Sequence, residues 1–324
     1  MTIEIDEVTL KLMRIFQPET LGRREAAMAA GTRFVHYTSA SAATSILRGP
    51  HVWLRNATTM NDVSEINFGN SRLIAGLGRK SEQVAAKKFW VLLGELNSEL
   101  PDKIVALYDG WVDHLRMDTY LFCLSEHDDA EDEIGRLSMW RAYGGAAAIA
   151  IVINPAPMYS YTDALSAYAY PVIYCAPDDQ SSFQLLVSRM EAELEFLKTQ
   201  SAETLVDHLF ECLQSQAICS KHLGFKEERE WRIVHQPKHQ PNERLKSSLV
   251  DVRGIPQIIY ELPLRDFPEE NLVGLNLNHL ISRIIIGPTA FPLAMYDYFV
   301  RLLEELKIDK AHERVFLSNI PLRT

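Results

Sequence analysis

Short, densely apolar runs alternate along this chain with longer segments whose apolar residues recur every three or four positions. Residues 1–32 read as a helical lead-in. From Arg33, "RFVHYT" is aromatic and β-branched, the pattern of a strand. Behind it Ser39 or Ser41 stands as a helix N-cap. Ala42, Ala43, Ile46 and Leu47 then repeat at helical spacing until Gly49-Pro50 stops them. "HVWLR" predicts a second strand, and "NATTMNDVSE" has the Asn, Asp and Ser content of a loop, with Ser64 placed to cap a helix beginning near Glu65.

Residues 66–117 predict helix, with Val84, Phe89, Val91, Leu92 and Leu96 as core positions. "TYLFCLS" and "AAAIAIVI" are near-continuous apolar runs, as expected of strands buried on both faces. Between them, "EHDDAEDEIGRLSMWRAYGG" divides into an acidic half, expected to be a mobile exposed loop, and a short helix ending at Gly144-Gly145. "AYPVIYC" is a further strand, and residues 181–220 predict one or two long amphipathic helices. Strands "EWRIVH", "QIIYELPL" and "SRIIIG", the helix "YDYFVRLLEEL" and a closing "ERVFLSNIPLR" that returns to the sheet complete the pattern. The reading is one α+β domain over residues 33–324 with helical insertions at about 66–117 and 181–220.

Composition narrows the classes. With 47% hydrophobic and 23% charged residues in 324, the chain has an ordinary globular profile. A net charge of −10 argues against a broad nucleic-acid surface. The four cysteines, Cys123, Cys175, Cys212 and Cys219, form no CxxC pair and no zinc-ligand cluster, so they read as buried thiols. No secretory leader or membrane-length apolar run is visible, which makes a cytoplasmic location without membrane partners the expectation. Walker-A, GxGxxG, GxSxG and HExxH motifs are all absent, which removes the main support for kinase, Rossmann dehydrogenase, α/β-hydrolase and zinc-protease readings. Nothing points to a metal.

Four constellations could carry chemistry. In "HYTS", His36 is either a hydrogen-bonded structural ring or a contact to a ribose or phosphate hydroxyl, with Tyr37 as an aromatic face. In "MNDVSE", Asn61, Asp62 and Glu65 form either an Asx-turn and helix start or part of a polar site. "CLSE" puts Ser125 and Glu126 at a strand end, and "MWRAYGG" makes Trp140, Arg141 and Tyr143 either a ligand wall or an amphipathic helix. The fourth is "LGFKEEREWRIV". Continued as a strand, it puts Glu228, Glu230 and Arg232 on one side, and Arg229, Trp231 and Ile233 on the other. Three charges on one strand face favour a pocket mouth over packed core. A Glu230–Arg232 surface pair, worth about 0–1 kcal/mol, is the plain alternative.

Together "FVHYTSASAATSILRG", "VWLRNATTMNDVSE", "LFCLSE", "MWRAYGG", "GFKEEREWRIV", "IIIGP" and "SNIPLR" resemble, in order, the bacterial family grouped as domain of unknown function 2971, over roughly residues 33–323. That family brings no activity with it. The "HYTS…SILRG" opening is also similar to the first strand and helix of ADP-ribosyltransferase-like domains. That resemblance implies a split, mixed or mostly antiparallel sheet that holds NAD as substrate. His36 would supply the first-strand element, Ser125 the middle-strand hydroxyl, and Glu230 the late-strand carboxylate with Glu228 as its partner. Glu230 would stabilise an oxocarbenium as nicotinamide leaves, and Glu228 would orient or deprotonate an acceptor. Tyr37 or Tyr143 would stack on a ring, and Asn61 and Arg232 would line the pocket. The departures are the lack of a serine-threonine-serine run and the helical insertion before the carboxylate pair.

Three functions follow as expectations. The first is an NAD-consuming transferase or glycohydrolase, a toxin or phage-defence effector acting on an unknown macromolecule. The second is a non-catalytic module binding a nucleotide or protein partner. The third, ranked last because the cations near the motifs are few and interleaved with acids, is a nuclease.

Overall fold

The computed structural model describes residues 5–321 other than 61, 62, 116, 144, 146 and 253. Helices α1 (Glu7–Phe16) and α2 (Pro18–Ala29) lead into strand β1 (Arg33–Ser39). The serine predicted as a cap serves as one: Ser39 Oγ accepts the Ala42 amide at 3.2 Å at the start of α3 (Ala40–Arg48), and Gly49 closes that helix. After β2 (His51–Asn56) come three helices, α4 (Val63–Leu77), α5 (Val84–Leu96) and α6 (Leu100–Leu115). Strand β3 (Tyr120–His127), α7 (Leu137–Tyr143), β4 (Ala148–Ile153), and the short strands β5 (Tyr168–Pro171) and β6 (Ile173–Cys175) follow.

The second helical segment is α8 (Ser181–Ala192), α9 (Leu194–Lys198) and α10 (Ala202–Ile218), leading directly into β7 (Ser220–His222). The chain closes with β8 (Glu230–His235), β9 (Lys246–Val252), β10 (Ile255–Pro263), α11 (Leu277–Leu280), β11 (Ile281–Ile286), α12 (Pro292–Glu305), α13 (Ala311–Arg314) and β12 (Val315–Leu317). The architecture is α+β, around a mixed, mostly antiparallel open sheet in the order β12-β11-β4-β1-β3-β2-β10-β9, with β8 attached to β3 and β5 to β8. Only β11–β12 and the separate pair β6–β7 are parallel among the described strands.

The registers show how the branch arises. Leu121 faces Arg55 of β2 on one edge of β3 and Val234 of β8 on the other. Ser125 likewise faces Val35 of β1 and Glu230 of β8. Strands β1 and β2 therefore share one edge of β3 and part from each other between Val35 and Arg55. Cys123 of β3, in register with Arg232 of β8, lies beside this gap, and the His36 Nδ1 lies 3.0 Å from its carbonyl.

Strand alternation sorts the side chains by face. Val35, Tyr37, Ser125, Glu230, Arg232 and Val234 lie on one face, covered by α7 and by the helices around α4 and α10. Phe34, His36, Phe122, Leu124, Trp231 and Ile151 lie on the other, covered by α3, α12 and the segment 264–280.

Several expectations are revised. Val84 and Val91 are 70% and 59% exposed, because α5 turns only Phe89, Leu92, Leu93 and two alanines inward. Helix α4 starts at Val63, so Ser64 lies inside its first turn and is not its cap. "AYPVIYC" breaks into two strands at Val172, and "KSSLVDV" forms β9, a strand too polar on its exposed face to announce itself. The acidic stretch after β3 is tied down: Asp128, Asp129, Glu131 and Asp132 pair with Arg229, Arg33, Arg136 and Arg283. All four cysteines are free; three are buried and Cys123 is half-buried. No described helix is long and apolar enough to cross a membrane.

Gly69 marks the closest approach of α4 to α10: a methyl group there would run into the Ala217 carbonyl, which is backbone and cannot rotate away. The substitution Gly69→Ala should therefore destabilise the fold by about 1–3 kcal/mol, the usual cost of overpacking, read as a lowered urea midpoint with unchanged slope. An unchanged midpoint would mean that the two helices separate without cost.

Candidate functional site

At the start of β8 the chain places two charges of opposite sign on the helix-covered face of the sheet. Arg232 is wholly buried. Its Nε donates to Glu230 Oε1 at 2.9 Å, one terminal nitrogen to the Ile218 carbonyl at the end of α10, and the other to Glu65 in the first turn of α4. A second cation comes from β7, whose pairing with β6 sets Lys221 opposite Tyr174. Lys221 Nζ lies 2.9 Å from Glu65, 2.6 Å from Glu228 and 2.9 Å from Glu230. The Tyr174 hydroxyl accepts the Glu230 amide at 2.8 Å.

Glu228 reaches this group by a route the strand reading did not foresee. Residues Leu223–Glu228 form a 3-10 turn, and Arg229 then adopts a left-handed conformation, φ 46°, before β8 begins. A non-glycine residue there costs roughly 1–2 kcal/mol. The Arg229 side chain offsets that cost by pairing with Asp128 and with Glu131, the latter at 2.8 Å. The kink folds Glu228 back, so that both carboxylates share Lys221 although they are not successive same-face residues of one strand.

The result is three carboxylates around two cations, one negative charge in excess among the described residues. Exposure grades across it: the side chains of Arg232, Lys221 and Glu230 are 0%, 3% and 6% exposed, against 11% for Glu65 and 18% for Glu228. The two glutamates of the ExE stretch respond in opposite senses. Burial alone would raise Glu230, but Arg232 and Lys221 outweigh it and hold its carboxyl down at about 2. Burial raises Glu228, Lys221 opposes the rise only in part, and Glu230 and Glu65 add to it. Burial would lower the Lys221 ammonium, yet Glu230 and Glu65 keep it well above the ordinary lysine range. Titratable neighbours driven apart in this way are a common basis for acid–base function.

The other candidate residues are distributed as follows. Ser125 is buried directly across from Glu230. Tyr37 lies on the same face, but its ring packs edge-on against Trp140 at 4.8 Å, and its hydroxyl accepts the Arg136 amide. His36 is on the opposite face, its ring 4.4 Å from Phe122, and burial holds it neutral with a pKa of about 4 against a small opposing effect of the Cys123 carbonyl. Trp140 is core while Arg141 and Tyr143 are exposed, so "MWRAY" is an amphipathic helix packed by one face. Asn61 lies outside the described residues. Lys221 was not anticipated: in "SKHLGF" it reads as a solvated loop lysine, and only the pairing of β6 with β7 turns it inward. No described His, Cys, Asp or Glu residues group to hold a metal ion.

Residues 139–233 match the sequence profile of the family described as Protein of unknown function (DUF2971). The span is narrower than the 33–323 over which the motif blocks resemble that family, and it contains Lys221, Glu228, Glu230 and Arg232. No curated protein and no solved structure matches the chain.

Two outcomes follow. Replacing Arg232 with Met leaves Glu230 and Glu65 buried without their guanidinium and should cost about 3–5 kcal/mol, whereas Arg232→Met with Glu230→Leu should restore most of that loss; chemical denaturation of the three proteins decides. His36, held below its unfolded value of 6.5, contributes stability that is complete above pH 6.5 and lost as pH falls toward 4. At about 1.4 kcal/mol per pKa unit, wild type should lose on the order of 3 kcal/mol more than His36→Asn between those limits. Equal losses would show that burial does not hold the ring neutral.

Proposed function

We propose that the chain is a glycosyl-transfer or glycohydrolase enzyme acting on NAD, with the cluster around Glu228 and Glu230 as its reactive centre. The observation that carries this reading is the charge imbalance: three carboxylates share two cations, and burial raises the carboxyl of Glu228, the most exposed of the three. A site with surplus negative charge favours a group that is positive or becoming so. The pyridinium of NAD and the oxocarbenium formed as nicotinamide departs are both of that kind. The strand order adds support from the resemblance. The segments carrying the His, Ser and Glu elements are the neighbours β1, β3 and β8, and Val35, Ser125 and Glu230 stand in one cross-strand row.

In this reading Glu230 stays ionised and sets the local potential, aided by its charge-assisted bonds to Arg232 and Lys221. Glu228 holds or takes the proton of the acceptor, water or a macromolecular nucleophile. Lys221 is the positioning residue that keeps the pair at its separation. His36, across the sheet, has no part in the step.

A second reading, a non-catalytic nucleotide- or partner-binding module, is favoured by the enclosure of Glu230. A carboxylate 4% exposed and already paired with two cations is also what a purely structural charge cluster looks like.

Nicotinamide release from NAD by wild type, Glu228→Gln and Glu230→Gln, with and without cell lysate as acceptor, separates the two. The enzyme reading expects release that falls at least 100-fold in each variant while far-UV circular dichroism is unchanged, and stimulation by lysate would mark transfer over hydrolysis. Folded wild-type protein that releases no nicotinamide under either condition would hand the site to the second reading.

A further inference from the structure

On the opposite face of the sheet, where β1 and β2 part, the covering layer does not fill the wedge. A cavity of about 810 Å³ remains, within the size range of small-molecule sites. Its deep part is apolar, walled by Phe122, Ile151, Leu262, Leu275 and Ile281 beside the neutral His36. Its outer part runs past the edge of β5 between α2 and α10, and the exposed lining residues Leu107, Asp207, His239 and Gln240 mark its mouth.

The outer wall contains hydrogen-bonding capacity that the protein does not use. Gln17, at the junction of α1 and α2, Arg24 of α2 and His208 of α10 all line the cavity. Gln17 Nε2, Arg24 Nε and His208 Nδ1 are each buried without a hydrogen-bond partner among the described residues. Gln17 as a whole is only 5% exposed. A buried polar atom left unpaired costs about 1–3 kcal/mol, so three along one wall call for an explanation.

Arg24 is the strongest of them. Its terminal nitrogens donate to the Ser160 and Ala169 carbonyls, its guanidinium lies over the Tyr161 ring at 4.1 Å, and no described carboxylate forms an ion pair with it. The two nearby carboxylates that line the cavity, Asp163 and Glu211, are engaged by the hydroxyls of Tyr168 and Tyr170. Burial pulls Arg24 below the ordinary arginine range, as expected of a cation lacking its counter-charge.

From this geometry we infer that the cavity is a binding site for an acidic amphiphile, a single carboxylate on an apolar body. The carboxylate would lie against Arg24, Gln17 and His208, and the body would run under the split of the sheet toward Ile151. Charge favours a single carboxylate over a dinucleotide. Among the described lining residues Arg24 is the one arginine or lysine, enough to match one negative charge, whereas the second charge of a diphosphate would have no cation and would meet Asp163, Asp207 and Glu211. The inference is independent of the reaction proposed for Glu228 and Glu230: neither they nor Glu65, Lys221 and Arg232 line the cavity.

Titration calorimetry with dodecanoate, dodecan-1-ol and NAD tests it. Dodecanoate should bind saturably at one site. Dodecan-1-ol, with the same body and no charge, should bind at least tenfold more weakly. Arg24→Met should bring the two to equal affinity, and NAD should not displace dodecanoate. The inference is overturned if folded wild-type protein fails to bind dodecanoate saturably or binds the alcohol equally well. Displacement by NAD would also overturn it, by assigning the cavity to a nucleotide. Because the comparison of acid with alcohol is made on wild-type protein, it stands even if Arg24→Met does not fold.

Discussion

One wholly buried guanidinium ties the helical segments to the sheet. Arg232 projects from β8 and bonds to its own strand through Glu230, to the last turn of α10 through the Ile218 carbonyl, and to the first turn of α4 through Glu65. Placing such a charge in the interior is expensive, and its mutual attraction with buried carboxylates repays that only when the remaining donors are satisfied. Here the satisfaction is spread over three elements distant in sequence, so the helical segments can settle on this face of the sheet in few ways. The close backbone approach of α4 to α10 at Gly69 and Ala217 is consistent with that, since the two helices bearing Arg232's outer partners are also the two packed most tightly.

The same charge economy explains the segment before β8. A left-handed Arg229 is unfavourable on its own. It becomes tolerable because the acidic loop after β3 presents Asp128 and Glu131 to it, while Arg136 joins that loop to the carbonyls of Glu227 and Glu228. What reads in sequence as two unrelated charge runs is one interlocked structure. The loop is pinned by Arg33 of β1, Arg283 of β11 and Arg229 just before β8, and in return fixes the kink that turns Glu228 toward Lys221.

This bears on what the sequence could reveal. Strands such as "RFVHYT", "AAAIAIVI" and "EWRIVH" were legible because their apolar content is dense and their ends are marked by Ser39, the Gly144-Gly145 pair and the charged turn. The alternation through Glu230, Trp231 and Arg232 also held, with Trp231 and Arg232 buried on opposite faces. What could not be read was which face would be wet. Three charges on one strand suggested a pocket mouth, and the structure buries two of them under helices that sequence alone had placed nowhere. Lys221 was invisible for the same reason, since its role depends on a parallel pairing with Tyr174, 47 residues earlier in the chain, which no local pattern encodes.

His36 shows how a motif can be right in position and different in consequence. Beside the split between β1 and β2, Cys123 of β3 offers its carbonyl as an acceptor, and a backbone acceptor inside the fold calls for a donor. A neutral imidazole on β1, one residue beyond the last shared register position, supplies it at 3.0 Å. Burial, by keeping the ring neutral, also keeps the wedge around it free of fixed charge, which a protonated histidine would end. The apolar space beside the split and the charged cluster across the sheet then have a common origin. Dividing the edge of β3 between two strands opens the sheet on one face, and the helices that cover the other face are held there by ions.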